Sequence, residues 1–117
     1  MATHQEMHDS LLNFQQLHNE NAPLQKMNKD WNRTMLVQTT DTNDLFTIDL
    51  QNGVVTIAEG APLAYQMALI ADSETLCNLF FGEIGPTQPY MDGTLKVKGT
   101  EEDVLRLDFV TAMIWGE

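Results

Sequence analysis

Positive charge is scarce in this chain. Six Lys+Arg stand against 17 Asp+Glu, a formal net charge of −11 at pH 7. Nucleic-acid binding needs clustered Lys/Arg to displace phosphate counterions, so the balance argues against that class of partner. The same excess of acid repels an anionic bilayer surface and argues against stable membrane anchoring. Cysteine is nearly missing as well: Cys77 stands alone. No internal disulfide can form, which fits a reducing compartment. No apolar run approaches the roughly 20 residues of a membrane span. The opening residues, MATHQEMHDS, are polar and carry no leader pattern, and the closing IWGE is neither a peroxisomal nor a prenylation signal. A cytoplasmic location is the expectation.

Motifs that carry covalent chemistry are absent too. There is no G-x-S-x-G, no phosphate-cradling glycine loop, no CxxC and no pairing of a nucleophile with a base. The expectation is a protein that is not an enzyme and needs no cofactor. His4-Gln-Glu-Met-His8 puts two histidines at i, i+4, but the zinc-protease pattern needs Glu directly after the first His, and Gln5 stands there. A solvated helix start is the preferred reading, with no metal site. Cys77 has no His or basic neighbour to lower its pKa and reads as a small buried hydrophobe. Asp72, Ser73 and Glu74 read as helix-capping chemistry.

What is present is ordinary globular material. The 117 residues are 43% hydrophobic, enough for one domain with a real core. Thr3-His-Gln-Glu6 has capping-box spacing, and Met7, Leu11, Phe14 and His18 follow at helical spacing, predicting a helix over about 3–19. Pro23 suits the first turn of a short second helix with Leu24 and Met27 on its apolar face. From Arg33 the period changes. RTMLVQTT (33–40), LFTIDL (45–50), VVTIAE (54–59) and YQMALIA (65–71) read as strands.

Asn52-Gly53 is a strong short hairpin signal. With those two residues as the loop, Gln51 pairs Val54, Leu50 pairs Val55 and Ile48 pairs Ile57. Phe46, Ile48, Leu50, Val55 and Ile57 then share a greasy face, while Thr47, Asp49, Thr56 and Ala58 share the other. Such a sheet is covered on one side.

Asp72 or Ser73 caps a third helix that stops at Gly82. Residues 82–93 read as irregular, with one helical turn near Pro89. TLKVK (94–98) is a fifth strand, expected to run parallel to the fourth through a right-handed crossover. Lys96 and Lys98 fall on its outer face, where lysines discourage edge-to-edge pairing. Thr100 caps a last helix opening with Glu101-Glu-Asp103 at its positive end. That helix is apolar around much of its circumference, as is the third with Phe80 and Phe81 adjacent. The surplus has three destinations: the core, a partner chain, or an apolar ligand between helices and sheet.

Residues 68–107, ALIADSETLCNLFFGEIGPTQPYMDGTLKVKGTEEDVLRL, resemble the sterol carrier protein 2 family. Gly82, Pro86, Tyr90, Gly93, Leu95, Lys96, Val97 and Gly99 carry the likeness. LFTIDLQNGVVTIAEG (45–60) fits the family's Asn-Gly hairpin, and NENAPLQKMNKDW (19–31) looks like the lead-in of stand-alone bacterial members. The resemblance covers about residues 19–110. It implies an α+β fold, a five-stranded, mostly antiparallel sheet with helices packed on one face. The whole of 1–117 would be one such domain, with N-terminal helices in 1–30, the sheet and an inserted helix in 31–99, and a C-terminal helix in 100–117.

The resemblance further implies a non-enzymatic binding and intracellular transfer protein with an apolar tunnel for a fatty acid, fatty acyl-CoA, phospholipid or sterol-like ligand. A fatty acyl chain is the favoured one. Phe46, Ile48, Leu50, Val55 and Ile57 would form the floor, and Leu76, Leu79 and Phe80 a wall. Tyr90, Met91, Leu95 and the last helix, with Leu105 and Phe109, would stand nearest the mouth, and Val97 would also line the tunnel. The alternative is an interaction or homodimerisation module built on the apolar C-terminal helix, with Trp115 exposed near its end.

Overall fold

The computed structural model describes residues 1–116; Glu117, the last residue of the expected C-terminal segment, lies outside them. The elements in chain order are α1 (His4–Asn19), α2 (Ala22–Met27), β1 (Arg33–Thr39), β2 (Leu45–Gln51), β3 (Val54–Glu59), β4 (Met67–Ala71), α3 (Ser73–Phe80), α4 (Thr87–Asp92), β5 (Lys96–Lys98) and α5 (Glu101–Trp115). The five strands form one sheet in the order β3-β2-β1-β4-β5. Only β1 and β4 are parallel; the other three pairings are antiparallel. The fold is α+β.

The hairpin forms as its turn dictates. Asn52 and Gly53 both take positive φ, 54° and 81°, the primed turn whose twist matches the flanking strands. Gln51 faces Val54, Leu50 faces Val55 and Ile48 faces Ile57. Pairing carries the same parity across the sheet: Met35 and Val37 of β1, Met67 and Leu69 of β4 and Val97 of β5 join Phe46, Ile48 and Leu50 on one face. The helices cover that face.

The expected parallel pairing of the fourth and fifth strands does not occur. β5 runs antiparallel to β4, with Leu69 opposite Val97, and the parallel partner of β4 is β1. One crossover helix would return the chain to the start of β4. Two successive helices, α3 and α4, bring it back to the end at which β4 finishes. The fourth strand also begins later than its apolar run, at Met67, and β5 is only Lys96–Lys98. Residues 87–92, expected to hold a single turn, form α4.

α1 seals the β3 side of the sheet. Its capping box is complete: Thr3 accepts from the Glu6 amide, and Glu6 Oε1 accepts from the Thr3 amide. Met7, Leu11 and Phe14 are buried, and they share one core cluster with Phe46, Ile48, Leu50 and Val55. Two amides on one side of α1, at i and i+4, stand in for a missing neighbouring strand. The Ile57 amide donates to Gln15 Oε1 at 3.0 Å. The Val55 amide donates to Asn19 Oδ1 at 2.9 Å, and Asn19 Nδ2 donates back to the Val55 carbonyl at 2.8 Å. The edge of β3 is thus closed to strand addition. At the opposite edge Lys96 and Lys98 are exposed on a three-residue strand.

A polar chain ties this end to α5. His18, fully buried, donates from Nδ1 to Asn19 Oδ1 and accepts at Nε2 from Asn28 Nδ2, so it is neutral. Burial holds its pKa below the ordinary value. Arg106 of α5 donates to Asn28 Oδ1 and to the Met27 carbonyl.

Candidate functional site

Where α1 does not reach, the helices stand off the sheet. An apolar cavity of ≈ 220 Å³ lies over β4 and β5, beneath α5. Leu69, Leu95 and Val97 are its floor, and Leu79 and Phe80 of α3 one wall. Pro86, Thr87 and Tyr90, at the start of α4, form the opposite side. Val104, Leu107, Asp108 and Thr111 of α5, with Leu105, complete the roof. Those four recur at i, i+3, i+4 and i+7, one side of a helix. A more open depression of ≈ 380 Å³ adjoins the cavity, shares Tyr90, Val97, Val104 and Leu105, and adds Gly99 and Glu101.

Two contacts set the position of α5. At its N-terminus, Asp103 is 5% exposed and accepts from Trp31 Nε1 and Arg33 Nε, both at 2.9 Å. Burial works against the Asp103 charge, but the Arg33 and Trp31 hydrogen bonds and the Arg33 charge outweigh it and hold the carboxyl below its usual range. The guanidinium carbons of Arg106 and Arg33 lie 5.1 and 5.7 Å from the Trp31 ring centroid. At the C-terminal end, the Trp115 indole lies against Gly82, so closely that a Cβ there would fall 2.3 Å from the ring. Trp115 also faces Phe14 at 6.3 Å between ring centroids. The expectation that Trp115 is exposed is therefore corrected: it is half-buried at the margin of the core.

Of the side chains named from sequence, Leu79, Phe80, Tyr90, Leu95, Val97 and Leu105 line the cavity. Phe46, Ile48, Leu50, Val55 and Leu76 are buried and Ile57 partly so; all belong to the packed core and none lines the cavity. Met91 and Phe109 are 75% and 52% exposed and line neither the cavity nor the depression beside it. The hairpin floor is taken by α1, so the hollow sits at the β4–β5 end instead. Leu69, Pro86, Thr87, Val104, Leu107, Asp108 and Thr111 line the cavity in addition to the ligand-binding residues expected from sequence. The helical spacing of the four α5 residues and the register placing Leu69 opposite Val97 are the signals that reveal them.

The remaining reactive side chains have structural partners. Ser73 donates from its amide and hydroxyl to Asp41 and accepts from the Ala2 amide. Asp72 caps α3 by accepting from the Thr75 amide. The Cys77 thiol is buried and donates to the Glu6 carbonyl at 3.4 Å; its pKa is raised, chiefly by burial. His4 is held between Asp44 and Glu59 and stacks on Phe46. Among the described residues, no helix is long and apolar enough to cross a membrane.

A five-stranded sheet with helices on one face, standing apart over its β4–β5 end to leave an apolar cavity, defines a class of small α+β domain. The SCP-2 sterol transfer family model matches residues 14–110, and the chain belongs to that family. No curated protein matches it by sequence. Among solved structures, the palmitated SCP2L2 of Aedes aegypti is similar at 10% identity and TM-score 0.68, over 94% of this chain and 95% of that one. A protein described as UbiJ-SCP2, a ubiquinone synthesis protein, is similar at 12% identity and TM-score 0.67, over 89% and 86%. The sec-alkylsulfatase Pisa1 of a Pseudomonas species matches at 15% identity and TM-score 0.61, over 74% of this chain. The chain spans only 14% of that enzyme's length. At these identities the likeness is one of fold.

Proposed function

We propose that the chain binds an apolar, lipid-like ligand in the cavity between β4–β5 and α3, α4 and α5, and carries it without covalent chemistry. The observation that carries this reading is the cavity itself: ≈ 220 Å³ of space with almost wholly apolar walls, adjoining an open depression. Native cores pack to crystal-like density, so a void of this size with an outlet is a feature to be filled. The family's description and the structural likeness to the palmitated SCP2L2 of Aedes aegypti support a lipid-like occupant. The contact set is Leu69, Leu79, Phe80, Leu95, Val97 and Leu107, with Tyr90, Val104 and Leu105 at the outlet. The enclosed volume is below the ~300–1,000 Å³ of drug-sized sites, so a long chain is held by one end and emerges past Tyr90 and Leu105. Its binding energy comes from apolar area removed from water, about 0.8 kcal/mol per buried methylene.

Val104→Trp tests this. Val104 is only half-buried, so the indole plugs the cavity without breaking the core. N-phenyl-naphthylamine should gain fluorescence with the wild-type protein and not with the variant, while far-UV circular dichroism stays the same. Equal enhancement by both proteins overturns the assignment. Native mass spectrometry of the purified protein should show a retained lipid.

The second reading, self-association through α5, rests on Leu105 and Phe109 being 63% and 52% exposed at i, i+4. Sedimentation separates the two: a lipid-bearing monomer supports the carrier, an empty dimer the interaction module.

A further inference from the structure

The cavity is apolar, but its rim has a sign. Four polar side chains line the cavity: Thr87, Tyr90 and Asp108, which are exposed at its rim, and Thr111, which is buried inside it. Glu101 adds a second carboxylate in the outer depression. The hydroxyl protons of both threonines are spent on the roof helix: Thr87 Oγ1 donates to Asp108 Oδ1 at 3.2 Å, and Thr111 Oγ1 donates to the Asp108 carbonyl at 2.8 Å. What they offer a ligand is oxygen lone pairs. Asp108 and Glu101 also offer only acceptors. The Tyr90 hydroxyl is the one side-chain donor among these groups.

Basic side chains are elsewhere. Arg33 and Arg106 are engaged at Trp31, Asp103 and Asn28. Lys96 and Lys98 belong to the face of the sheet away from the cavity, because Val97 between them lines it. Lys26 and Lys29 belong to α2 and the turn after it. None of the six lines either hollow. A ligand carboxylate or phosphate arriving at this mouth meets two carboxylates, few donors and a chain of net charge −11.

Resting on the binding reading above, we infer that the cavity selects a lipid whose emerging end carries no negative charge and donates a hydrogen bond, an alcohol or amide rather than a fatty acid or acyl-CoA. Asp108 is the residue that sets this preference. A carboxylate at the mouth turns away an anionic head group and accepts from a hydroxyl, which is discrimination by repulsion as much as by attraction.

Displacement of N-phenyl-naphthylamine by decanol and by decanoate, which share a chain length, tests the inference at pH 7.5 and low salt. Decanol should displace the probe at a concentration about five- to tenfold lower than decanoate, an effect sized for charges at a solvated mouth and shrinking as salt is added. Desolvation alone also disfavours decanoate, so the variant decides. Asp108→Lys should reverse the order, and Asp108→Asn should narrow the gap. Asp108 is exposed, so neither change disturbs the core. Equal displacement by both ligands in the wild type, or a ratio unchanged by Asp108→Lys, overturns the inference and leaves the carrier reading standing. If wild-type protein binds neither the probe nor either ligand, the carrier reading fails and takes this inference with it.

Discussion

Asp103 holds the roof of the cavity, and removing it should cost more than an ordinary surface ion pair. Its carboxylate takes hydrogen bonds from Trp31 Nε1 and Arg33 Nε. Asp103→Ala leaves the Trp31 N–H, on a ring that is 6% exposed, without a partner. An unsatisfied buried donor costs about 1–3 kcal/mol. The Arg33 side chain retains 31% of its exposure, so its share is discounted for solvent to about 0.5–1 kcal/mol. The expected loss is about 1.5–4 kcal/mol, a large part of the 5–15 kcal/mol typical of a domain. With a urea dependence of about 2 kcal/mol per molar, the midpoint falls by about 0.7–2 M.

Trp31 and Trp115 give the fluorescence signal for that measurement. The folded-state pKa of Asp103 is depressed, so its contribution is present above the ordinary value of 3.8 and is lost as pH falls through the lower folded value. Wild type should therefore lose more stability than Asp103→Ala on acidification below that point. A midpoint shift under 0.3 M, or parallel acid profiles for the two proteins, would refute the account.

Two further outcomes follow from the same structure. Gly82→Ala should destabilise by at least about 2 kcal/mol, because φ is +79° and the new methyl meets the Trp115 ring; melting temperature should fall and tryptophan emission shift red, and a neutral substitution would contradict the packing. The His4 pKa is raised, first by the Asp44 hydrogen bond and then by that to Glu59, so its link is intact below pH 6.5 and loosens as pH rises through the higher folded value. The His4 Hε1 resonance should titrate with a midpoint above 6.5, and a midpoint at or below it would show that the two carboxylates do not hold the ring.

Much of the fold was legible where local chemistry fixes geometry. Asn52-Gly53 admits one tight turn, and a two-residue loop leaves one register, so every facing pair of the hairpin followed. Thr3 and Thr100 each accept from a backbone amide three residues on, as their spacing implied, and of the two expected caps for α3, Asp72 and Ser73, Asp72 does the same. Strand order was less legible, because periodicity assigns a side chain to a face but not a strand to a neighbour. The site was legible only in part for a related reason. The greasy faces of α1, α3 and α5 all need cover, and nothing local says which stands over the hairpin and which over β4 and β5. α1 took the hairpin, and Phe46, Ile48 and Leu50 became packing. Whether a space is full or hollow depends on volumes summed over distant segments, which patterns of residue type do not encode.

The two borders of the sheet are defended by different forces. Gln15 and Asn19 cover β3 with neutral amides, whose bonds are indifferent to ionic strength. β5 relies on the mutual repulsion of lysines, which salt screens within about 8–10 Å under ordinary conditions. Crowded, salty solution should therefore open one border and not the other, and the vulnerable one adjoins Leu105 and Tyr90. Strand-to-strand association at β5 would bring two cavity outlets side by side.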